Sequence, residues 1–402
     1  MKVLVSPAHT FLSPSYGGEA SWAYNMITRL AENYGIQIDA ICGEATDLHL
    51  PLNVRLFKVG FSKMDLLDRG LFTLKLYNLA KKLVRGANLV HHMFPFGFRI
   101  GFNSLAVFRH LREKPFIIGP IQYPQEYSDI TDYEWVSGRS GLKARLMYDL
   151  ECTAMRFIQK PIEMFHEATL SEAEALVFDS KKTLEKYRKL YSDILRGKTL
   201  EVIPPGVETE QFQYAPPIEK DHFEILTASY LLRRKGIQYL IKAMPLILRE
   251  FRNVKLKIIG DGPYRQELMR LVNKLSLDNA VSFEGKVPRH EMSKYCSSCD
   301  VYIQPSLSET FPSSVREAMS VGRPVVVTDV GFIREHIVDG VNGFIVQKGD
   351  VDALANRIVT LLSDDDLRLK IGLEARRYAE KNFDWNEKVK KWYQIYAKLI
   401  NS

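Results

Sequence analysis

The sequence is short of several things, and each shortage narrows what the chain can be. Its four cysteines, Cys42, Cys152, Cys296 and Cys299, are too few and too scattered for a disulfide framework. No run of about 18 apolar residues occurs, so no transmembrane helix is expected. The first residues, Met1-Lys2-Val3-Leu4-Val5, read as a short strand that soon meets Pro7, without the hydrophobic region of a signal peptide. A cytoplasmic chain is expected, peripheral at most at the inner face of a membrane. Neither charge sign dominates, since 55 Lys and Arg against 48 Asp and Glu leave a net +7. That mild basicity suits an anionic ligand or an anionic lipid surface. No recognisable motif points to nucleic acid. Cys296-Ser297-Ser298-Cys299 has CxxC spacing, but no second pair or paired histidines accompany it. Packing of small residues on the helical stretch 289–299 is preferred to a metal or redox role.

What is present is enough for two cores. The 402 residues are 46% hydrophobic and 26% charged, ordinary values for a globular chain. Short apolar runs alternate with helical patterns, as in an α/β architecture with parallel sheets. Pro204-Pro205-Gly206 interrupts this alternation and marks a boundary near the middle.

One stretch organises the chemistry. The apolar run Val301-Tyr302-Ile303 reads as a buried strand and Val325-Val326-Val327 as a second. Between them lie Ser306-Leu307-Ser308-Glu309-Thr310-Phe311-Pro312 and a helix that runs through Ser313, Ser314 and Glu317 towards Gly322. Pro312 suits the first helical turn, where a missing N–H has no partner to lose. The N–H groups of Ser313 and Ser314 can hold an anion such as a diphosphate. Glu309, at the strand's C-terminal edge, and Glu317, within the helix, can each accept hydrogen bonds from hydroxyls. An anion cradle flanked by two carboxylates fits a sugar nucleotide better than ATP or NAD. On spacing alone, two solvated glutamates on a helix remain an equal reading.

The residues around this stretch resemble a known family. Glu309-Thr310-Phe311-Pro312, Glu317-Ala318-Met319 and Gly322-Arg323-Pro324-Val325-Val326 together look like the Glu-x7-Glu signature of retaining glycosyltransferases of family 4. The resemblance implies the GT-B fold, two Rossmann-like domains with parallel sheets facing a cleft. It implies that Glu309 contacts the donor sugar and Glu317 the ribose. Pro312 stands where the family has glycine. Val202-Ile203-Pro204-Pro205-Gly206-Val207-Glu208 resembles the family's hinge-side segment. The expected domains are therefore 1–204, joined by the C-terminal helix 385–402, and 205–384.

The rest of the chain adds candidates. Lys235, beside Gly236 at a helix start, can meet a phosphate as a point charge and matches the family's lysine. Tyr230 stands where the family has arginine, which leaves Arg233 or Arg234 to supply that charge. Gly17-Gly18, between the first strand and first helix, lets the backbone approach a phosphate, and the family carries a Gly-Gly there. Lys286 and Val287 fall in the segment that resembles the family's base-contacting one. Thr310, Phe311, Pro312, Ser313 and Ser314 complete the donor-binding candidates. His91, His92 and Gln122 lie at predicted strand ends and are acceptor-side candidates, although a histidine there can equally be a satisfied internal group. The stretches Asp65–Arg85 and Gly138–Glu174 interleave leucines with Lys143, Arg145, Arg156 and other basic residues. They read as covering helices with a solvated face, or as a basic surface against anionic lipid, the first being preferred.

The activity expected is transfer of a sugar from a nucleoside-diphosphate sugar, UDP- or GDP-linked, to an acceptor hydroxyl on a glycan, lipid-linked or small molecule, with retention. Glu309 and Lys235 would be the catalytic residues. No cofactor is expected. No Asp-x-Asp constellation stands where a metal would serve, so metal independence is expected. The alternatives are a sugar phosphorylase or phosphatase of the same fold, or a non-catalytic sugar-nucleotide-binding subunit.

Overall fold

The computed structural model describes residues 1–9, 11–14, 18–46, 48–60, 66–93, 113–122, 146, 153, 160–161 and 163–401. These divide into two compact units. The first holds the described residues up to Pro205 together with those from Trp385 onwards, and the second holds Gly206–Asp384.

In the first unit seven strands pair side by side: β1 (Lys2–Val5), β2 (Gln37–Cys42), β3 (Val54–Lys58), β4 (Leu89–His92), β5 (Phe116–Ile121), β6 (Ala175–Phe178) and β7 (Thr199–Val202). Their order is β3-β2-β1-β4-β5-β6-β7, and every pairing is parallel. The runs are apolar on both faces because helices cover both, as a parallel sheet requires. Alternation sorts the side chains: Val3 and Val5 join the core on one face, and Leu4 joins the core on the other. Covering helices include α1 (Glu19–Tyr34), α2 (Leu66–Leu83) and α3 (Lys181–Leu190). Ser180 caps α3 by accepting from the Thr183 N–H.

The second unit repeats the scheme. Its strands are β8 (Phe223–Ala228), β9 (Val254–Ile259), β10 (Val281–Gly285), β11 (Val301–Gln304), β12 (Val325–Thr328) and β13 (Phe344–Val346). They run parallel in the order β10-β9-β8-β11-β12-β13. Helices α4 (Ile237–Glu250), α5 (Arg265–Lys274), α6 (Met292–Ser298), α7 (Ser313–Ser320), α8 (Val351–Ser363) and α9 (Asp365–Phe383) lie between and after them. Strand order reverses between β8 and β11, and open parallel sheets bind ligands beyond the strand ends at such a point.

After α9 the chain rejoins the first unit as α10 (Trp385–Asn401). Trp385, Val389, Trp392, Tyr396 and Leu399 recur at helical spacing and are all buried. Trp385 and Trp392 each lie 6.2 Å from the Trp22 ring of α1, and Tyr393 stacks on Tyr34 at 4.2 Å. Among the described residues, no helix is long and apolar enough to cross a membrane.

Most predicted elements lie within a residue or two of the observed ones. Pro312 differs. It precedes α7 as the N-cap residue, with φ −61° and ψ 141°, rather than opening the first turn. A ring-fixed φ is compatible with either position, and here extended ψ turns the chain into the helix. Gly17, Lys143, Arg145 and Arg156 lie outside the described residues.

Candidate functional site

Two loops meet at the reversal point of the second unit. Residues 229–236 follow β8 and lead to α4, and residues 305–312 follow β11 and lead to α7. The Leu307 N–H donates to the Arg234 carbonyl at 2.7 Å. Gly236 has φ +71°, and a Cβ added there would sit 1.8 Å from the Pro305 carbonyl oxygen. Only glycine lets the two loops approach this closely. The loop after β12 braces them. Gly331 has φ +56°, a Cβ there would lie 2.2 Å from the Glu309 carbonyl oxygen, and the Phe332 N–H donates to Thr310 O at 3.3 Å.

This packing brings Lys235 and Glu309 together across 74 residues of sequence. Lys235 Nζ donates to Glu309 Oε2, and Arg234 Nη1 stands 3.6 Å from the same oxygen. Arg234 also donates to the Ser308 carbonyl at 3.2 Å, which ties its guanidinium to the β11 loop. Arg233 is exposed and points to no such partner, so of the two arginines it is Arg234 that joins the cluster. Burial alone would raise the Glu309 carboxyl. The charges of Lys235 and Arg234, with hydrogen bonds from Lys235 and the Thr310 N–H, outweigh burial and hold it below its ordinary value. The cluster is two cations around one ionised carboxylate, a net single positive charge.

Helix α7 starts beside this cluster with no side chain capping it, so its first N–H groups keep their partial positive charge. Its start is held from below. Ser314 Oγ donates to Gln304 Oε1 at 3.3 Å, at the end of β11. The preceding loop is fixed by Phe311, whose ring is buried among Phe332, His336 and Phe383. Arg316, buried on α7, donates to the Phe311 carbonyl at 2.9 Å and lies 5.6 Å from its ring. Burial pushes the Arg316 guanidinium down to about 10, and it senses Glu317 and Glu309 alike. Phe311 is thus a wall residue, and Thr310, Pro312 and Ser313 stand half-buried at the surface of the loop.

Glu317 lies on α7 and is almost wholly buried. Its Oε1 accepts from Arg289 Nη1 at 2.9 Å, and Arg289 Nη2 reaches Glu208 Oε2 at 2.6 Å. Burial pushes the Glu317 carboxyl up. Arg289 pulls it back, but Glu208 shares that guanidinium and repels, so the net direction is upward. For Arg289 the two carboxylates outweigh burial and strengthen its hold on its proton. Neither Arg289 nor Glu208 was a site candidate in the sequence, where Glu208 only closes the hinge-like segment. They lie 28 and 109 positions from Glu317, and Arg289 shows only as a basic residue after Pro288 in the loop beyond β10.

The remaining candidates scatter. Lys286 is exposed and Val287 half-buried in the loop after β10. Gly18 is exposed at the start of α1 with φ +75°. His91 is fully buried in β4, with Nδ1 2.6 Å from Tyr396 Oη and Nε2 2.8 Å from the Gly119 carbonyl. Burial pushes its imidazole down to about 3, so it stays neutral. His92 is buried in the same strand, and Gln122 is half-buried just past β5. Cys296 and Cys299 are buried on and after α6, and burial raises both thiols.

Comparison with known proteins points in one direction. Residues 208–378 match the family model "Glycosyl transferases group 1". Over 231 residues the chain is 28% identical to a GDP-mannose-dependent alpha-(1-6)-phosphatidylinositol monomannoside mannosyltransferase of Mycolicibacterium smegmatis, covering 54% of this chain. The matched stretch spans 60% of that relative's length. The sucrose-phosphate synthase of Thermosynechococcus elongatus superposes with a TM-score of 0.75 at 19% identity, covering 100% of this chain and 99% of its own. Anabaena Alr3699/HepE, solved in complex with UDP, superposes with a TM-score of 0.67 at 19% identity, covering 99% and 100%. The fold is accordingly GT-B, with two Rossmann-like units built on parallel sheets.

Proposed function

We propose that this chain, whose residues 208–378 match the family model of group 1 glycosyltransferases, moves a sugar from a nucleoside-diphosphate sugar to an acceptor hydroxyl with retention at the anomeric carbon. The observation that carries this reading is the convergence of Lys235, Arg234, Glu309 and the uncapped start of α7 where the second sheet reverses its order. Two cations and a row of N–H groups suit a diphosphate. A carboxylate held ionised beside them suits the sugar that the diphosphate leaves. Glu317, one and a half turns further on, suits the ribose.

In the reaction, the bond from the anomeric carbon to the diphosphate oxygen breaks and its electron pair leaves with the diphosphate. Lys235, Arg234 and the N–H groups of Ser313 and Ser314 meet that growing charge. The acceptor oxygen bonds to the anomeric carbon on the face the diphosphate is leaving, and the acceptor's proton passes to a departing diphosphate oxygen. Glu309 supports positive charge at the anomeric centre and fixes the sugar. The charge on the leaving group is met by the chain's own groups, so the transfer proceeds without a resident metal or cofactor.

The acceptor is a glycan, a lipid-linked molecule or a small molecule, and we place the enzyme peripherally at the cytoplasmic face of a membrane. Helix α2 supports this: Leu71 and Leu74 are more than half exposed on it, and Lys75, Lys81 and Lys82 are exposed alongside. Apolar side chains ringed by lysines suit an anionic lipid surface.

A turnover screen over UDP-, GDP- and ADP-linked sugars tests the function. Transfer, or slow donor hydrolysis, with the anomeric configuration kept in the product is the expected result. Consumption of inorganic phosphate would replace the proposal with a phosphorylase. Binding without turnover across the panel would replace it with a carrier subunit.

A further inference from the structure

We infer that Arg289 is a positioning residue, which holds the Glu317 carboxylate aimed at the ribose of the nucleotide. The inference rests on the reading of this domain as a nucleotide-sugar site. Arg289 opens a short turn, Arg289–Glu291, in the loop after β10. Its guanidinium places one nitrogen 2.9 Å from Glu317 Oε1 and the other 2.6 Å from Glu208 Oε2. The three side chains keep only 14%, 12% and 4% of their surface, for Arg289, Glu208 and Glu317 respectively. Arg316, also buried, feels both carboxylates, so two cations and two anions share a nearly dry place.

Arg289 takes Oε1 of Glu317, while among the described residues Oε2 accepts no hydrogen bond. The helix supplies the direction of the side chain, and the guanidinium removes its freedom to swing. The result is a carboxyl group with one oxygen anchored and the other open to vicinal hydroxyls. Without Arg289, Glu317 loses the cation that holds it while Glu208 still repels it, which favours its protonated form. A protonated carboxyl is a poorer acceptor for a hydroxyl.

Ribose discrimination is the readout that a purely structural arginine would not move. Calorimetry with UDP and GDP, and with their 2′,3′-dideoxy counterparts, gives the preference of each protein for the ribose hydroxyls. The parent should favour the ribose form of the diphosphate it binds by about tenfold or more, as expected for hydrogen bonds to a charged acceptor. Arg289→Met should reduce that preference to near unity, with affinity for the dideoxy form little changed. Arg289→Lys should restore part of it. The double variant Glu208→Gln/Arg289→Met buries no opposed carboxylates and serves if the single variant fails to fold. Its preference should fall between the parent's and unity. A parent that binds neither diphosphate, or shows no preference for ribose, overturns the nucleotide-site reading and this inference with it. A parent with the preference, and folded Arg289 variants that keep it in full, overturns the positioning role alone.

Discussion

Replacing Glu309 by glutamine keeps the shape of the side chain and removes its charge. The structure makes the consequences for ground state and transition state differ in sign. In the free protein Glu309 already neutralises part of Lys235 and Arg234. An incoming diphosphate must share those cations with it. Glu309→Gln raises the local charge from one positive to two, so nucleoside-diphosphate affinity should hold or rise, by up to about tenfold at the effective dielectric of a half-open site. Turnover should go the other way. Among the described residues, Glu309 is the carboxylate of this cluster that can support positive charge at the anomeric carbon. Loss of one such preorganised electrostatic contact is commonly worth about 3–4 kcal/mol, or 10²–10³ in kcat. Stability should change little, within about 2 kcal/mol. The variant loses a charged hydrogen bond but also the cost of burying an ion. Lys235→Ala is the contrast. It strips a charge that acts before and during the transfer, so affinity and kcat should both fall, and the buried carboxylate it abandons should lower stability by about 3–5 kcal/mol. Steady-state kinetics with donor binding measured separately, and urea unfolding of both variants, decide the matter. A Glu309→Gln protein that turns over like its parent refutes the catalytic role. One whose affinity falls as far as its kcat refutes the charge-sharing argument.

Three further outcomes follow from the same contacts. The two carboxyls of the site should give opposite pH dependences of stability. Glu309, with a folded pKa below its ordinary value, contributes stability above about pH 4.5 that is lost as pH falls through the folded value. Glu317, raised above 4.5, costs stability as pH rises through its folded value. Urea midpoints across pH should therefore show Glu309→Gln losing the parent's acid slope, and Glu317→Gln gaining on the parent as pH rises. The reverse pattern would contradict the assigned directions. In the first unit, Tyr396→Phe takes the partner from His91 Nδ1, and should cost about 1–3 kcal/mol in unfolding while nucleotide affinity is untouched. A fall in affinity would mean that α10 contributes to the donor site. If α2 meets lipid, co-sedimentation with anionic vesicles should occur at low salt and fade as salt rises, and absence of binding at low salt would remove the membrane from the proposal.

The reach of the sequence follows from how far apart the interacting residues lie. Strands and helices were legible because each is a local pattern. Val325-Val326-Val327 and Phe116-Ile117-Ile118 can be little other than buried strands, and both are. The helix before Gly322 announced itself by its bounding turns. Lys235 and Glu309 were legible one at a time, the first at a predicted helix start and the second at the edge of a predicted strand. Their contact was not, because it depends on two loops crossing at a glycine that admits a carbonyl oxygen where others carry a Cβ. The choice between Arg233 and Arg234 depended on the same crossing, since neighbours in a short turn leave it in different directions. His91 shows the converse. Its position at a strand end was readable, but the fate of its ring was decided by a tyrosine 305 residues away on the last helix. Arg289 is the clearest case. Its meaning comes from the two carboxylates its guanidinium bridges, one on α7 and one in the boundary segment. No spacing rule joins residues 208, 289 and 317. Only the folded sheet sets the boundary segment, the β10 loop and α7 side by side, with one Glu317 oxygen held by Arg289 and the other left open.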